Sequence, residues 1–408
     1  MTSSDTISVG AAEPLYALPR RQRPKLLFLV TEDWYFCSHR LPVARAARDA
    51  GFDVVVATRV QDHGPRILDE GLALRPLGWR RGDGVARSAR AILAIARLYR
   101  VEQPDILHHV ALKSVLFGGL ARALAFGKSN DAPAAIDAVM GLGSGFSATS
   151  TAARLRRPVL GVALRFAASR RRSKVVVQNP EDGAALAALG VEQSRISLIR
   201  GSGVDVKHFA PLPMPKGNPV TVALVSRMLR DKGVLEAVAA IRLLRAQKLQ
   251  IELVLAGPPD PDNPGSLSQA ELRSLAAEPG VTWLGAVEDV REVWRRSAIA
   301  VLPSTYGEGL PKALLEAAAC ARPIIASNVP GCREVVPTGE NANGILVPPR
   351  DLAVLANAIA ELAADPARRE AMGNNGRILV ETRFTEEIVA RETLSLYHNA
   401  LSERAVLR

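Results

Sequence analysis

Short, uninterrupted apolar runs, each followed by a helical stretch, recur along this chain in two successive sets, and that repetition limits its fold more than any other feature. In the first half the runs are KLLFLV (25–30), DVVVAT (53–58), DILHHV (105–110), AAIDAV (134–139), KVVVQN (174–179) and ISLIR (196–200). Helical patterns fall at 41–50, 85–100, 113–125 and, strongly basic, 152–171. A strand with one wet face alternates apolar and polar residues. These runs do not alternate, so each is expected to be covered on both faces, as strands of a parallel sheet are. The segment 201–219 is rich in Gly and Pro and has no period, which marks a linker, placed here at 209–219. The pattern then restarts with VTVALVS (220–226), IELVLAG (251–257), VTWLG (281–285), AIAVLP (298–303), PIIAS (323–327) and GILV (344–347). Helices are expected at 232–247 and at 351–363, the latter capped by Asp351.

At 408 residues the chain suits two domains of ordinary size. The expectation is α/β throughout: two Rossmann-like parallel-sheet domains, 23–208 and 220–385, facing across a cleft. Residues 1–22 read as a disordered leader, and 386–408 as an amphipathic helix able to pack back on the first domain. In that leader the basic cluster follows the mildly apolar part, the wrong order for a signal peptide. No run of 18 uncharged apolar residues is present, so no membrane-spanning helix is expected. Cys37, Cys320 and Cys332 have neither metal nor disulfide spacing and read as small apolar residues in a reducing compartment. The net charge of +11 lies wholly within residues 1–205, which suits a surface facing something anionic, or simple solubility.

Two segments carry chemistry. TYGEGLPKALLEA (305–317) reads as strand end, turn and helix start, with Pro311 in the first turn. Such a start leaves unpaired N–H groups and the positive end of a dipole, an anion site. Glu308 just before it and Glu316 within it could grip hydroxyls of a ligand whose phosphates sit on the amides; a capped surface helix with solvated glutamates is the plain alternative. SRMLRDKG (226–233) follows the first strand of the second half and offers Arg227 and Lys232, a planar fork and a point charge suited to a diphosphate. Both segments follow strands of one sheet, so both can serve one cleft.

SRMLRDKG, GEGLPKALLEA and ARPIIASNVPGCREVV…GENANGILVPPRD resemble the C-terminal domain of family 4 glycosyltransferases, which are retaining, nucleotide-sugar-dependent enzymes with the GT-B fold. The resemblance covers about 24 to 385. GLGS (141–144), VVVQNPED (175–182) and RGSGVDVKHF (200–209) resemble a subgroup that builds capsule, O-antigen or glycan-precursor oligosaccharides on polyprenyl diphosphate. The resemblance implies that Arg227 and Lys232 hold the donor diphosphate, with Ser226 beside them. Glu308 would contact the transferred sugar, the Gly309 and Leu310 amides its surroundings, and Glu316 the ribose, with Pro311 at the helix start and Gly257 and Val287 bordering the base. Gly141, Gly143 and Ser144 would face the reaction centre. Many members carry a glycine pair in the first loop and a histidine near position 140; here stand TEDWYFCSHR (31–40) and Met140.

From the residues themselves, His39 and Asp33 are candidate bases, Arg40 could bind an acceptor diphosphate, and Lys113 could reach an anionic substrate; helix capping and core packing are the plain alternatives. One of His108 and His109 is expected in the core. Cleavage of a glycosyl–phosphate bond puts negative charge on the diphosphate, which Arg227, Lys232 and the helix start would oppose. No second carboxylate suggests a nucleophile, so same-face attack assisted by the departing phosphate is favoured. No metal or other cofactor is expected, Asp260 and Asp262 forming a chance D-x-D. The partners expected are a nucleotide sugar carried on UDP, a lipid-linked sugar acceptor and an anionic membrane surface on the cytoplasmic side, and no nucleic acid. Trp34, Tyr35 and Phe36 could touch the polyprenyl chain, and the 152–171 helix could lie in the lipid interface. The competing readings are a nucleotide-sugar 2-epimerase of the same architecture and a non-catalytic binder of anionic lipid or nucleic acid.

Overall fold

The computed structural model describes residues 23–79, 84–127, 129, 131–141, 161, 164–166, 170 and 172–405. The expected leader, Gly143, Ser144 and most of the basic 152–171 segment lie outside them.

Seven parallel strands form the N-terminal sheet: β1 (Lys25–Glu32), β2 (Asp53–Arg59), β3 (Ala73–Pro76), β4 (Ile106–Val110), β5 (Ala134–Ala138), β6 (Ser173–Val177) and β7 (Ile196–Leu198), in the order β3-β2-β1-β4-β5-β6-β7. Six more form the C-terminal sheet: β8 (Val220–Val225), β9 (Ile251–Ala256), β10 (Val281–Trp283), β11 (Ile299–Leu302), β12 (Ile324–Ser327) and β13 (Gly344–Val347), in the order β10-β9-β8-β11-β12-β13. The central strands β1, β4, β5 and β11 are buried along nearly their whole length, as the unbroken apolar runs require. β3 escaped the sequence reading because ALRP is short and half-buried at the sheet edge.

In both sheets the strand order reverses once, between β1 and β4 and between β8 and β11. Crevices at such reversals, outside the carboxyl ends of the strands, are where open α/β sheets bind ligands. The chain crosses between lobes twice, and the crossings pack on each other: Val204 bridges Thr385, and a Cβ on Gly203 would lie 2.6 Å from Glu386 Cα. The last helix, Glu386–Ala405, then lies against the N-terminal lobe. Its Tyr397 hydroxyl meets His108 Nδ1 at 2.5 Å and its ring packs edge-on against Phe52.

Candidate active site

The C-terminal lobe assembles its polar groups at the ends of β8 and β11. After β8 the chain turns through Ser226 and Arg227 into the helix Val234–Ala246. After β11 it runs through Ser304–Pro311 into the helix Lys312–Ala319, which has no side-chain cap. Lys232 Nζ stands 2.7 Å from both Oε1 and Oε2 of Glu308, and Ser304 donates to Glu308 Oε1 at 2.6 Å. Burial opposes ionisation of Glu308, yet Lys232 and Ser304 outweigh it and hold the carboxyl below its ordinary range. Arg227 pairs through Nη1 with Asp260. Among the described residues the amides of Gly309 and Leu310 donate no hydrogen bond within the protein, which leaves the turn just before the helix open to an anion. Ser226 Oγ donates to the Arg227 carbonyl at 2.8 Å.

Gly257 has φ +141, and a Cβ there would fall 1.8 Å from the Ser226 carbonyl oxygen, so only glycine lets β8 and β9 end this close together. Trp283 Nε1 donates to the Gly257 carbonyl at 3.0 Å, and Val287 packs on the core beneath. Glu316, one and a half turns into its helix, is raised by burial to about 7, with Lys312 acting against the rise and Glu386 with it.

The N-terminal lobe meets this wall at its glycines. A Cβ on Gly141 would lie 2.8 Å from Gly309 N, and Asn179 Nδ2 donates to the Gly309 carbonyl at 3.1 Å. Lys312 Nζ donates across the cleft to the Ser38 carbonyl at 2.6 Å. His39 stacks on Tyr35, ring centroids 4.2 Å apart, and Ser38 Oγ lies 2.5 Å from its Nδ1. Burial, then Lys312 and Arg40, depress His39 to about 3, so its imidazole is neutral at ordinary pH.

Several sequence expectations need correction. Asp33 is fully buried and accepts from the amides of Trp34, Gln61 and His63, so it fastens the 61–63 loop and offers no base to a substrate. Arg40 is only 3% exposed, with Nη2 on Met140 Sδ, so it braces the residue before Gly141 from within the lobe. Phe36 is buried against Phe28, so it cannot meet a lipid chain. Both His108 and His109 are buried, the latter between Tyr99 and Asp137. Lys113 lies over the rings of Trp79 and Phe117, 5.5 and 5.3 Å from their centroids. Asp260 serves Arg227, while Asp262 reaches Arg59 across the cleft at 3.0 Å. The sequence reading missed Ser304, Asn179 and Lys312, although all three lie in or beside motifs it had singled out.

Two family models match the two lobes. "Glycosyl transferase 4-like" covers residues 25–178 and "Glycosyl transferases group 1" covers 219–365. The chain belongs to these glycosyltransferases. A Campylobacter jejuni relative, N,N'-diacetylbacillosaminyl-diphospho-undecaprenol alpha-1,3-N-acetylgalactosaminyltransferase, is 26% identical over 89% of this chain and 95% of its own length. The capsular polysaccharide biosynthesis glycosyltransferase CapM of Staphylococcus aureus is 29% identical over 45% of this chain, a match spanning 47% of CapM. Among solved structures, a sucrose-phosphate synthase of Thermosynechococcus elongatus superposes with a TM-score of 0.76 at 24% identity, over 93% of this chain and 100% of that one. Anabaena Alr3699/HepE in complex with UDP does so with 0.72 at 17% identity, over 92% and 100%. The glycosyltransferase thus has the GT-B fold, with Arg227, Lys232 and Glu308 at the reversal of its second sheet and Gly141 and His39 opposite.

Proposed function

We propose that this glycosyltransferase moves a hexose or N-acetylhexosamine from a nucleotide diphosphate sugar, with UDP as the carrier, to a sugar carried on polyprenyl diphosphate, with retention at the anomeric carbon. One observation carries the reading: Lys232, Arg227 and the open Gly309 and Leu310 amides stand on the ends of adjacent strands, opposite Gly141 of the other lobe. Those groups suit a diphosphate leaving group, whose growing charge preorganised cations and amides stabilise at no reorganisation cost. In this reading Glu308 contacts the transferred sugar and Glu316 the ribose. The Lys232 ammonium would neutralise the β-phosphate and hold Glu308 ionised beside it. Glu308, tied through both oxygens, is poorly placed to act as a covalent nucleophile, and Asp33 is occupied. The acceptor hydroxyl would then attack on the face the diphosphate leaves and pass its proton to the departing phosphate oxygen, with neutral His39 able to orient it by a hydrogen bond.

No cofactor and no metal is required in this scheme, since Arg227 and Lys232 supply the positive charge. The Campylobacter jejuni relative, which acts on a diphospho-undecaprenol-linked sugar, supports a lipid-linked acceptor, and CapM, of capsular polysaccharide biosynthesis, supports a place in surface glycan synthesis. The complex of the Anabaena neighbour supports UDP. No helix among the described residues is long and apolar enough to cross a membrane. The positive excess of residues 1–205 supports peripheral attachment to the inner face of the cytoplasmic membrane.

The test is a panel of UDP- and GDP-sugars with short polyprenyl-diphosphate-linked acceptors in anionic vesicles, with and without EDTA. Transfer with retained anomeric configuration, read by proton NMR, is the expected result. An epimerised sugar formed without acceptor would identify a 2-epimerase instead, and UDP binding without turnover a binding module.

A further inference from the structure

The helix Asp33–His39 carries three rings in contact between the two sides of the cleft. Trp34 faces the Arg227 guanidinium, whose Cζ stands 5.7 Å from the ring centroid. Trp34 meets Tyr35 edge to face, centroids 5.6 Å apart at 79°, and Tyr35 lies parallel to His39. Trp34 belongs to the N-terminal lobe and Arg227 to the C-terminal one, so this cation–π contact joins the lobes at a donor-side cation.

Arg227 is held on two sides. Asp260 of its own lobe takes Nη1, and the Trp34 ring lies beside its face. Among the described residues, Nε and Nη2 donate to nothing in the protein. A guanidinium fixed in this way presents its unused edge as a fork, the geometry that suits two oxygens of a diphosphate. Without the ring, the long Arg227 side chain regains rotamers that Asp260 alone does not restrict.

We propose that Trp34 is an interlobe positioning residue: it orients Arg227 for the donor diphosphate and, through Tyr35, joins donor occupancy to the placement of His39. This rests on the donor-site reading above. Trp34 touches no reacting atom in this scheme; it acts through Arg227 and Tyr35. Its ring is therefore replaceable by another aromatic ring but not by an aliphatic group of similar bulk.

The experiment compares Trp34→Phe, Trp34→Leu, Arg227→Ala and the double variant Trp34→Leu/Arg227→Ala, using UDP as the probe. Calorimetry gives UDP affinity, and thermal melting checks the fold. Trp34→Leu is expected to weaken UDP about tenfold, with Trp34→Phe within about threefold of wild type, the span that a partly desolvated cation–π contact covers. In the Arg227→Ala background, Trp34→Leu should change nothing further, because the interaction it removes is already gone. Intrinsic fluorescence should change on UDP addition in wild type and lose most of that change in Trp34→Phe. Equal effects of Phe and Leu, or the full Leu effect persisting without Arg227, would overturn the positioning role while leaving the donor site standing. Wild-type UDP affinity in Arg227→Ala would remove the donor site itself, and the positioning role with it.

Discussion

Lys232 and Glu308, 76 residues apart in sequence, meet with the ammonium 2.7 Å from each carboxylate oxygen. Removing either partner leaves the other part-buried and unpaired, a costly state for a charge. Lys232→Ala and Glu308→Ala are each expected to lower kcat by roughly 10²–10³, the size of losing one preorganised group that stabilises a developing charge. The fold should survive, because neither residue belongs to the apolar cores. Steady-state kinetics with circular dichroism checks this, and near wild-type turnover in both variants would remove the pair from the mechanism.

Arg227→Lys keeps the charge but not the fork. A lysine ammonium cannot engage two phosphate oxygens side by side while facing a ring and a carboxylate. Donor KM is expected to rise at least about tenfold, the weight of one charge-assisted hydrogen bond. Unchanged donor KM would mean that only the charge at position 227 matters.

Much of this site was legible before the structure. Arg227, Lys232, Glu308 and Gly309 lie at strand-to-helix junctions, and a parallel sheet must bring such junctions to one edge. The first-loop residues were less legible. TEDWYFCSHR has no helical period over its seven-residue helix, so Asp33–His39 read as a loop. Asp33 looked like a base because no local pattern announces that the amides of Gln61 and His63, nearly thirty positions away, fill its acceptors. His108 and Tyr397, 289 positions apart, meet only because the chain returns to the first lobe after the second is built. The tail helix was expected to be able to pack back on the first domain, but nothing local showed that its Tyr397 would meet His108.

Glu316 gives a pH dependence of definite sign. Burial lifts its carboxyl to about 7, so between the ordinary carboxyl range and neutrality the folded state holds a proton that the unfolded state has lost. Its contribution to stability therefore falls as pH rises through that window. Glu316→Gln removes the titration, and its melting temperature relative to wild type is expected to be higher at pH 8 than at pH 5. The same variant should weaken UDP by about tenfold if the carboxylate holds the ribose, the weight of one lost charged hydrogen bond. Parallel melting curves across pH would refute the perturbed carboxyl.

His39 runs the other way. Burial, Lys312 and Arg40 depress it to about 3, so below pH 6.5 the unfolded chain takes up a proton that the folded chain refuses. Stability is lost as pH falls from 6.5 toward 3, and the residue adds no slope above 6.5. Its imidazole NMR signals, assigned by their loss in His39→Gln, should not move between pH 8 and pH 5. An imidazole held at about 3 is too weak a base to carry a general-base step at neutral pH, so His39→Gln, which keeps a hydrogen-bonding side chain, should lower kcat by less than about 10². A titration near 6.5 would show the ring to be hydrated rather than sealed by Tyr35 and the cleft.

Backbone packs on backbone between the lobes where Gly141 meets Gly309. Gly141 has φ +88, and an added Cβ would lie 2.8 Å from Gly309 N and 3.0 Å from Gly309 Cα. Those atoms are backbone in the turn before the donor-site helix, so they cannot swing aside as a side chain would. Gly141→Ala must therefore part the lobes as well as strain its own backbone. Gly71→Ala isolates the strain, because Gly71 has φ +71 but nothing within 4 Å of an added Cβ. Each substitution should cost about 1–2 kcal/mol of stability from the left-handed backbone alone. Only Gly141→Ala should also lower kcat, by tenfold or more, and it should weaken UDP by no more than Trp34→Leu does, since parting the lobes takes the Trp34 ring off Arg227 but leaves the C-terminal lobe intact. A misplacement of about 1 Å between reacting groups is enough for a loss of up to ~10²-fold. Equal kcat in the two variants would mean that this glycine contact is not the closed, working arrangement of the lobes.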